Sequence, residues 1–164
     1  MNESPSNFAE PQDEPLFTAI SQADIEFQSA YDGAAATIPQ FIEHIQSAPD
    51  AFRSAKLRLR DPDESERLGE DRFLFLWLTD VFYYPDERNF SGMFFEVPTE
   101  FQKWHPVGQY LAFDPDQIFD WMVLCHGHLH GGFTLRVTRD KLSEAEHEPY
   151  DRHVGVSVYE PLPT

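Results

Sequence analysis

The pattern of apolar and polar positions divides this chain into a helical first part and a strand-rich remainder. Apolar side chains recur at roughly helical spacing from Ser21 to Ala35, which predicts a first helix. A second helix is predicted over Ile38 to Ser47, because Pro39 suits a first turn and Pro49 follows the apolar stripe. Each helix should turn one apolar face toward a core.

Beyond the second helix, the spacing of apolar residues becomes two. Ala55, Leu57 and Leu59 alternate with basic residues, as in a half-buried strand. The charged segment from Asp61 to Asp71 is predicted to be a loop. The next run, Phe73 to Tyr83, is apolar on both sides and is therefore predicted to be the central strand, covered on both faces.

The second half of the chain contains shorter signals. A turn at residues 85–89 leads into a strand from Phe90 to Val97. A short strand at 109–113 and a single helical turn at 114–120 follow, and then a hairpin that turns at 126–128.

The C-terminal segments are less uniform in pattern. The segment from Phe133 to Val137 fits a strand or a helix, since so few residues do not define a period. Ser143 and Glu146 form a capping-box signature, which predicts a short helix that Pro149 stops.

These elements predict an α+β fold in which N-terminal helices pack on a mainly antiparallel, strongly curved sheet of about five strands, with a short C-terminal helix. Residues 1–15 are predicted to be a disordered acidic leader, because they are nearly devoid of apolar side chains. Residues 16–155 should form a single α+β domain, and residues 156–164 should be a C-terminal tail that frays.

The charge balance excludes some classes of partner. The 164 residues carry a formal net charge of −17, which repels nucleic acid and anionic membranes. No apolar run reaches the ~20 residues of a membrane-spanning helix, and the first residues lack the features of a secretory signal. Cys125 is the only cysteine, so we expect no disulfide framework and a cytoplasmic location.

The acidic charge is unevenly distributed. Residues 1–52 contain aspartate and glutamate but no lysine or arginine. A basic partner would be attracted to this third of the chain, although a charge far from zero also serves solubility alone.

Several ordered motifs share a resemblance. They are Lys56-Leu-Arg-Leu, Phe75-Leu-Trp-Leu-Thr-Asp-Val81, Phe90-Ser-Gly92, Gly108-Gln-Tyr-Leu-Ala-Phe113, Asp116-Gln-Ile-Phe-Asp-Trp-Met122 and Gly131-Gly-Phe-Thr-Leu-Arg-Val137. Over about residues 36–150 the chain resembles the bacterial domain-of-unknown-function family numbered 2314. The resemblance supplies no reaction and no catalytic residues, and the matched residues are interpreted as architectural.

The segment from Cys125 to His130 departs from that family and offers metal ligands. His126, His128 and His130 could converge on zinc or nickel, because residues two apart on a strand point the same way. Against this, Gly127 interrupts the alternation. A metal-dependent or thiol enzyme that uses this segment is the alternative prediction of function.

Other catalytic signatures are missing from the sequence. It contains no Gly-x-Ser-x-Gly elbow and no glycine-rich phosphate loop, and Asp114-Pro-Asp116 is first of all a turn and capping pattern. No cofactor is predicted.

The favoured hypothesis is therefore a non-enzymatic acidic protein-binding domain. Its partner would be a basic protein, as when an immunity-type protein or inhibitor masks a co-produced bacterial toxin. Acidic residues would steer the partner and loop aromatics would anchor it. The predicted partner-binding residues are Asp24, Glu26, Glu43, Phe101, Trp104 and His105.

Overall fold

The computed structural model describes residues 22–163, and side chains from residue 25 onward. Its helices are α1 (Gln22–Ala36), α2 (Ile38–Ser47), α3 (Pro62–Leu68), α4 (Phe133–Asp140) and α5 (Glu144–Val154). Its strands are β1 (Phe52–Arg60), β2 (Phe73–Tyr84), β3 (Asn89–Phe94), β4 (Tyr110–Phe113), β5 (Ile118–Cys125), β6 (His128–Gly131) and β7 (Val158–Tyr159). The predicted leader, residues 1–15, lies outside the described residues.

The two N-terminal helices were predicted to within one residue. The bounds of α2 are those expected from the sequence, with Pro39 in its first turn. Ile38, Phe41 and Ile45 form its buried side, spaced as a helix requires. The periodic apolar stripe therefore identifies both the element and the side that it buries.

All strands belong to one sheet in the order β4-β3-β2-β1-β5-β6-β7, antiparallel except for the pair β6 and β7. The α+β class and the mainly antiparallel sheet are confirmed. The prediction of about five strands with strong curvature is wrong, because the sheet has seven strands among the described residues and is not strongly curled. The prediction that the run from Phe73 to Tyr83 is the central strand is wrong, because β1 occupies the centre of the sheet and β2 lies beside it.

The main core lies between the helices and one side of the sheet, which we call the inner side. Phe41 of α2 stacks on Phe90 and on Trp121, with ring centroids 5.7 and 5.1 Å apart. The Trp121 indole N–H donates to the hydroxyl of Thr37 over 3.0 Å, so the polar end of the buried ring is satisfied. These contacts fix α2 on β3 and β5.

The predicted loop from Asp61 to Asp71 contains a helix, so that prediction is wrong. α3 is capped at both ends. The Asp61 side chain accepts a hydrogen bond from the Glu64 N–H at the N-terminus, and Gly69 adopts a left-handed conformation at the C-terminus. The charged surface of this short helix concealed it, because its one buried residue is the polar Ser65 and no apolar stripe marks the other six.

The ambiguous segment from Phe133 is helical and begins α4. The capping box of Ser143 and Glu146 is confirmed at the start of α5. Pro149 does not stop α5, contrary to the prediction. Continuing the helix buries Tyr150, whose hydroxyl donates to the Leu135 carbonyl, and this tertiary contact offsets the lost backbone hydrogen bond.

The predicted tail from residue 156 is part of the fold. Val156 is buried, and Val158 and Tyr159 pair in parallel with β6. A second apolar cluster forms here from Met122, Leu129, Leu135 and Val156, with Trp77 and Tyr159 packed against it. Within residues 22–163, no helix combines the length and the apolar character needed to cross a membrane.

Candidate interaction surface

The outer side of β2, β3 and β4 presents apolar side chains to solvent. Directly paired residues of neighbouring strands point to the same side. The rows on this side are Thr79-Met93-Tyr110, Phe82-Ser91-Ala112 and Tyr84-Asn89. We call the large apolar members, Phe82, Tyr84, Met93 and Tyr110, the outer aromatic surface.

The outer aromatic surface is exposed, whereas the part of that side around Lys56 and Asp120 is covered. Phe82, Tyr84 and Tyr110 are 42%, 43% and 50% exposed. Farther along the same side, Trp77, Lys56 and Asp120 form a row in which Lys56 and Asp120 are buried. Residues of α4, α5 and β7 complete the second apolar cluster over that half, which reaches Trp77 of β2, and among the described residues this cluster does not extend to Phe82, Tyr84 or Tyr110.

A second aromatic pair extends the exposed apolar area. Phe95 lies two residues beyond Met93 and meets Phe52 edge to face, with ring centroids 6.1 Å apart. Phe52 is 37% exposed. Large contiguous apolar areas on a protein surface are typical of interaction sites, whereas isolated exposed apolar residues need no explanation.

An irregularity in β2 places a carboxylate on this surface. The register of β2 against β3 shifts between Thr79 and Phe82, and Asp80 in the bulge has a left-handed backbone with φ 53°. The Tyr110 hydroxyl donates a hydrogen bond to Asp80 Oδ2. This hydrogen bond to Asp80 raises the pKa of Tyr110 above its ordinary value.

The buried side chain of Arg53 contacts the bulge in β2. Its Nε donates to the Val81 carbonyl over 2.9 Å, and its guanidinium lies 5.2 Å from the centroid of the Phe82 ring. Nη2 of Arg53 is 3.7 Å from Asp80 Oδ1, and the arginine side chain is only 6% exposed. Arg53 therefore holds the backbone of β2 and orients Phe82.

Exposed acidic residues border one end of this surface. Asp86 and Glu87 lie in the turn between β2 and β3. Asp114 follows Phe113, which pairs with Phe90 at the same end of the sheet. Arg88 is the basic residue of that turn. The border of the aromatic area is thus mainly negative.

The acidic residues predicted to bind a partner have separate surroundings. Asp24 lies in α1, but its side chain is outside the described part of the chain. Glu26 forms an ion pair with Lys141, which ties α1 to the end of α4. Glu43 is exposed on α2, on the other side of the sheet.

The loop aromatics also differ from one another. Phe101 is 2% exposed and belongs to the main core, so the expectation that it anchors a partner is wrong for the folded chain. His105 stacks on Phe94 at 4.6 Å, and its Nδ1 lies 2.8 Å from Gln109 Oε1. Trp104 is 44% exposed and is available for contact.

The three histidines of the predicted metal site do not converge. His126 lies in the turn with φ 52°, Nδ1 of His128 is 2.6 Å from Glu160 Oε2, and the His130 ring lies 4.4 Å from that of His44. Within the described ranges no group of three or more histidine, cysteine or acidic side chains could hold a metal ion. The turn at Gly127 breaks the alternation that convergence requires.

Sequence reasoning missed the residues that the structure brings together on β2, β3 and β4. Phe82 and Tyr84 alternate with the buried Val81 and the half-buried Tyr83, which is a detectable signal, but a run that is apolar on both sides does not reveal which half of a face is left exposed. The bulge at Asp80 had no signal in the sequence beyond an acidic residue in an apolar strand.

Comparison with known proteins places the chain in a family. A putative ankyrin repeat protein of Neisseria meningitidis serogroup B is 28% identical over 86 residues, which cover 52% of this chain and 33% of that protein. The chain thus spans only part of this relative's length. No solved structure matches the chain significantly. The profile of the DUF2314 family of uncharacterized proteins conserved in bacteria matches residues 24–158, and the chain belongs to that family.

Proposed function

We propose that this chain is a non-enzymatic, acidic protein-binding domain that holds a basic protein against its outer aromatic surface. The observation that carries the proposal is the uncovered half of the sheet, where Phe82, Tyr84 and Tyr110 remain 42–50% exposed. The fold covers the other half of the same side with its own C-terminal elements. A partner would complete what these elements leave open.

The residue types on this surface suit protein recognition. Tyrosine, phenylalanine and methionine are enriched in interface cores, because they bury large areas at a low cost in side-chain entropy. Tyr84 and Tyr110 also keep hydroxyl groups that remain satisfied, since they bond Ser91 and Asp80 within the domain. These two hydroxyl groups can therefore lose water without being left unpaired.

The charge of the domain favours a basic partner. The formal net charge is −17, and Asp86, Glu87 and Asp114 border the aromatic area. Attraction at long range raises the rate of encounter, and aromatic contacts then slow dissociation.

Masking of a basic, co-produced toxin by an immunity-type protein or inhibitor is the biological role that we propose for such a domain. Such a role requires tight occlusion and no reaction, which agrees with a surface that has anchors rather than a catalytic group. The ankyrin-repeat name of one relative also supports a role in protein interaction, since repeat proteins of this type use extended binding surfaces.

Affinity purification from the native host tests the proposal. Wild-type bait is compared with a double variant, Tyr84→Ser and Tyr110→Ser, and with a control, Glu66→Gln, which alters an exposed carboxylate on α3. We expect a basic protein that is retained by wild type and control, lost with the double variant and released by salt. A partner retained equally by all three baits would contradict the proposal.

A further inference from the structure

We propose that Asp80, with the rings of Tyr84 and Tyr110, receives an arginine side chain of the basic partner. This inference rests on the proposed function and specifies the chemical group that the outer aromatic surface recognises. It follows from the backbone of the bulge, the free hydrogen-bonding capacity of the carboxylate and the rings beside it.

The backbone at Asp80 exists in a conformation that favours glycine. Its φ of 53° lies in the left-handed region, where aspartate and asparagine are the most tolerated residues after glycine. The inner side of the sheet is crowded next to the bulge, because a Cβ on Gly92 would lie 3.0 Å from Leu78 Cβ and 3.4 Å from Val81 Cγ2. The tight bulge turns the Asp80 side chain onto the outer side, within reach of Tyr110 on β4.

The carboxylate retains capacity for another donor. Oδ2 accepts from the Tyr110 hydroxyl, whereas Oδ1 is 3.7 Å from Arg53 Nη2, which is beyond hydrogen-bond distance. Arg53 and Asp80 therefore form an ion pair, and among the described residues no hydrogen bond ends on Oδ1. The Asp80 side chain is also 43% exposed, so an incoming donor can reach it.

Both tyrosine side chains of the proposed site are held in place before binding. The Tyr84 hydroxyl lies 2.9 Å from Ser91 Oγ, and the Tyr110 hydroxyl is fixed by Asp80. Tyr84 on β2 and Tyr110 on β4 lie on the same side of the sheet. Fixed rings lose little entropy when a flat cation stacks on them.

Arginine fits this site better than lysine. A guanidinium is planar, is weakly hydrated and can stack on a ring while donating to a carboxylate, whereas an ammonium is compact and strongly hydrated. The domain already contains one guanidinium that contacts both a ring and this carboxylate, because the guanidinium of Arg53 lies over Phe82 and beside Asp80. An arginine of the partner, approaching from solvent, would make the same pair of contacts with Asp80 and with the rings of Tyr84 and Tyr110.

The test uses two small probes and the full chain. N-acetyl-arginine amide and N-acetyl-lysine amide are titrated separately into isotope-labelled protein, and the ring resonances of Tyr84 and Tyr110 are followed by NMR. Asp80→Asn removes the charge while asparagine tolerates the left-handed backbone. Glu66→Gln removes an equal charge from α3 and serves as the matched control.

We expect saturable shifts of both tyrosines with arginine, binding at least about tenfold weaker with lysine, and a similar loss of arginine binding in Asp80→Asn but not in Glu66→Gln. Equal binding of the two probes, or unchanged arginine binding in Asp80→Asn, would overturn the inference. A captured basic partner that binds Asp80→Asn as tightly as wild type would refute this site while leaving the proposed function intact. If the domain binds arginine as expected but no basic partner is captured, the result would support this site and contradict the proposed function.

Discussion

The Lys56 ammonium donates a hydrogen bond to the Thr134 hydroxyl over 2.8 Å inside the protein, although the two residues are 78 positions apart. Lys56 also lies directly opposite Asp120 in the sheet. Asp120 accepts from the backbone N–H groups of Trp121, Phe133 and Thr134. This buried network attaches the first turn of α4 to β1 and β5.

Because of this network, the free energy of unfolding should change with pH in the alkaline range. Burial lowers the pKa of Lys56 from 10.5 to about 7, against the opposing attraction of Asp120. Between about pH 7 and 10 the unfolded chain therefore binds a proton that the folded chain has released, and the free energy of unfolding should rise with pH. Urea unfolding of wild type and Lys56→Met across this range checks the sign. A slope that is equal in both proteins would contradict it.

Removing each partner of the network should have unequal effects. Asp120→Ala leaves three buried N–H groups without an acceptor and should destabilise the fold by at least about 3 kcal/mol. Lys56→Met removes the buried amine at similar volume but leaves Asp120 with its three backbone donors, so it should cost less than Asp120→Ala. The midpoints of urea unfolding measure both, and equal losses would refute the asymmetry.

The two loop aromatics allow a matched comparison. Phe101→Ala should destabilise by about 3 kcal/mol or more, because Phe101 is 2% exposed in the main core. Trp104→Ala should change stability by less than about 1 kcal/mol, because the ring is 44% exposed. If Trp104 contacts the partner, its loss should instead accelerate dissociation. Thermal unfolding of both variants separates core from surface.

The bulge should discriminate among substitutions by backbone conformation. Asp80→Asn and Asp80→Gly should change stability by less than about 1 kcal/mol, since both residues accept the left-handed region. Asp80→Val should destabilise by more than about 1 kcal/mol, because a branched side chain is strained there. Equal unfolding midpoints for the asparagine and valine variants would show that the bulge adapts.

Attraction of the partner should depend on which acidic residues are neutralised. Residues that border the outer aromatic surface act over a shorter distance than those of the N-terminal helices, and salt screens over about 10 Å at 0.1 M. One triple variant neutralises Asp86, Glu87 and Asp114, and the other neutralises Asp24, Glu26 and Glu43. The first should lower the association rate more. Association rates are measured by stopped flow at low and high salt. Equal rates at the two salt concentrations would show that the acidic residues serve solubility rather than attraction of the partner.

Local patterns predicted those elements whose signals are local. α2 shows an apolar stripe between two prolines, and the capping box at Ser143 marks the start of α5. α3 and the continuation of α5 through Pro149 escaped prediction. The first lacks an apolar stripe, and the second depends on the burial of Tyr150 against α4.

The candidate surface depends on relationships that no local pattern contains. Phe82 and Tyr84 are exposed because the C-terminal elements cover the neighbouring half of the sheet and end there. The position of Asp80 depends on a register shift against β3, and its partner Tyr110 lies 30 residues away on β4. In contrast, the three histidines were selected because they are close in the sequence. The turn at Gly127 keeps their side chains apart in space.

The most direct test of a partner on the outer aromatic surface is site-specific photo-crosslinking in the native host. A photoreactive phenylalanine analogue replaces Tyr84 in one protein and Glu66 in a control that places it on α3. The account predicts that the Tyr84 protein forms a crosslink with one basic protein, that added salt reduces it, and that Asp80→Asn weakens it. Crosslinks of equal yield from both positions, or none from Tyr84, would contradict the account.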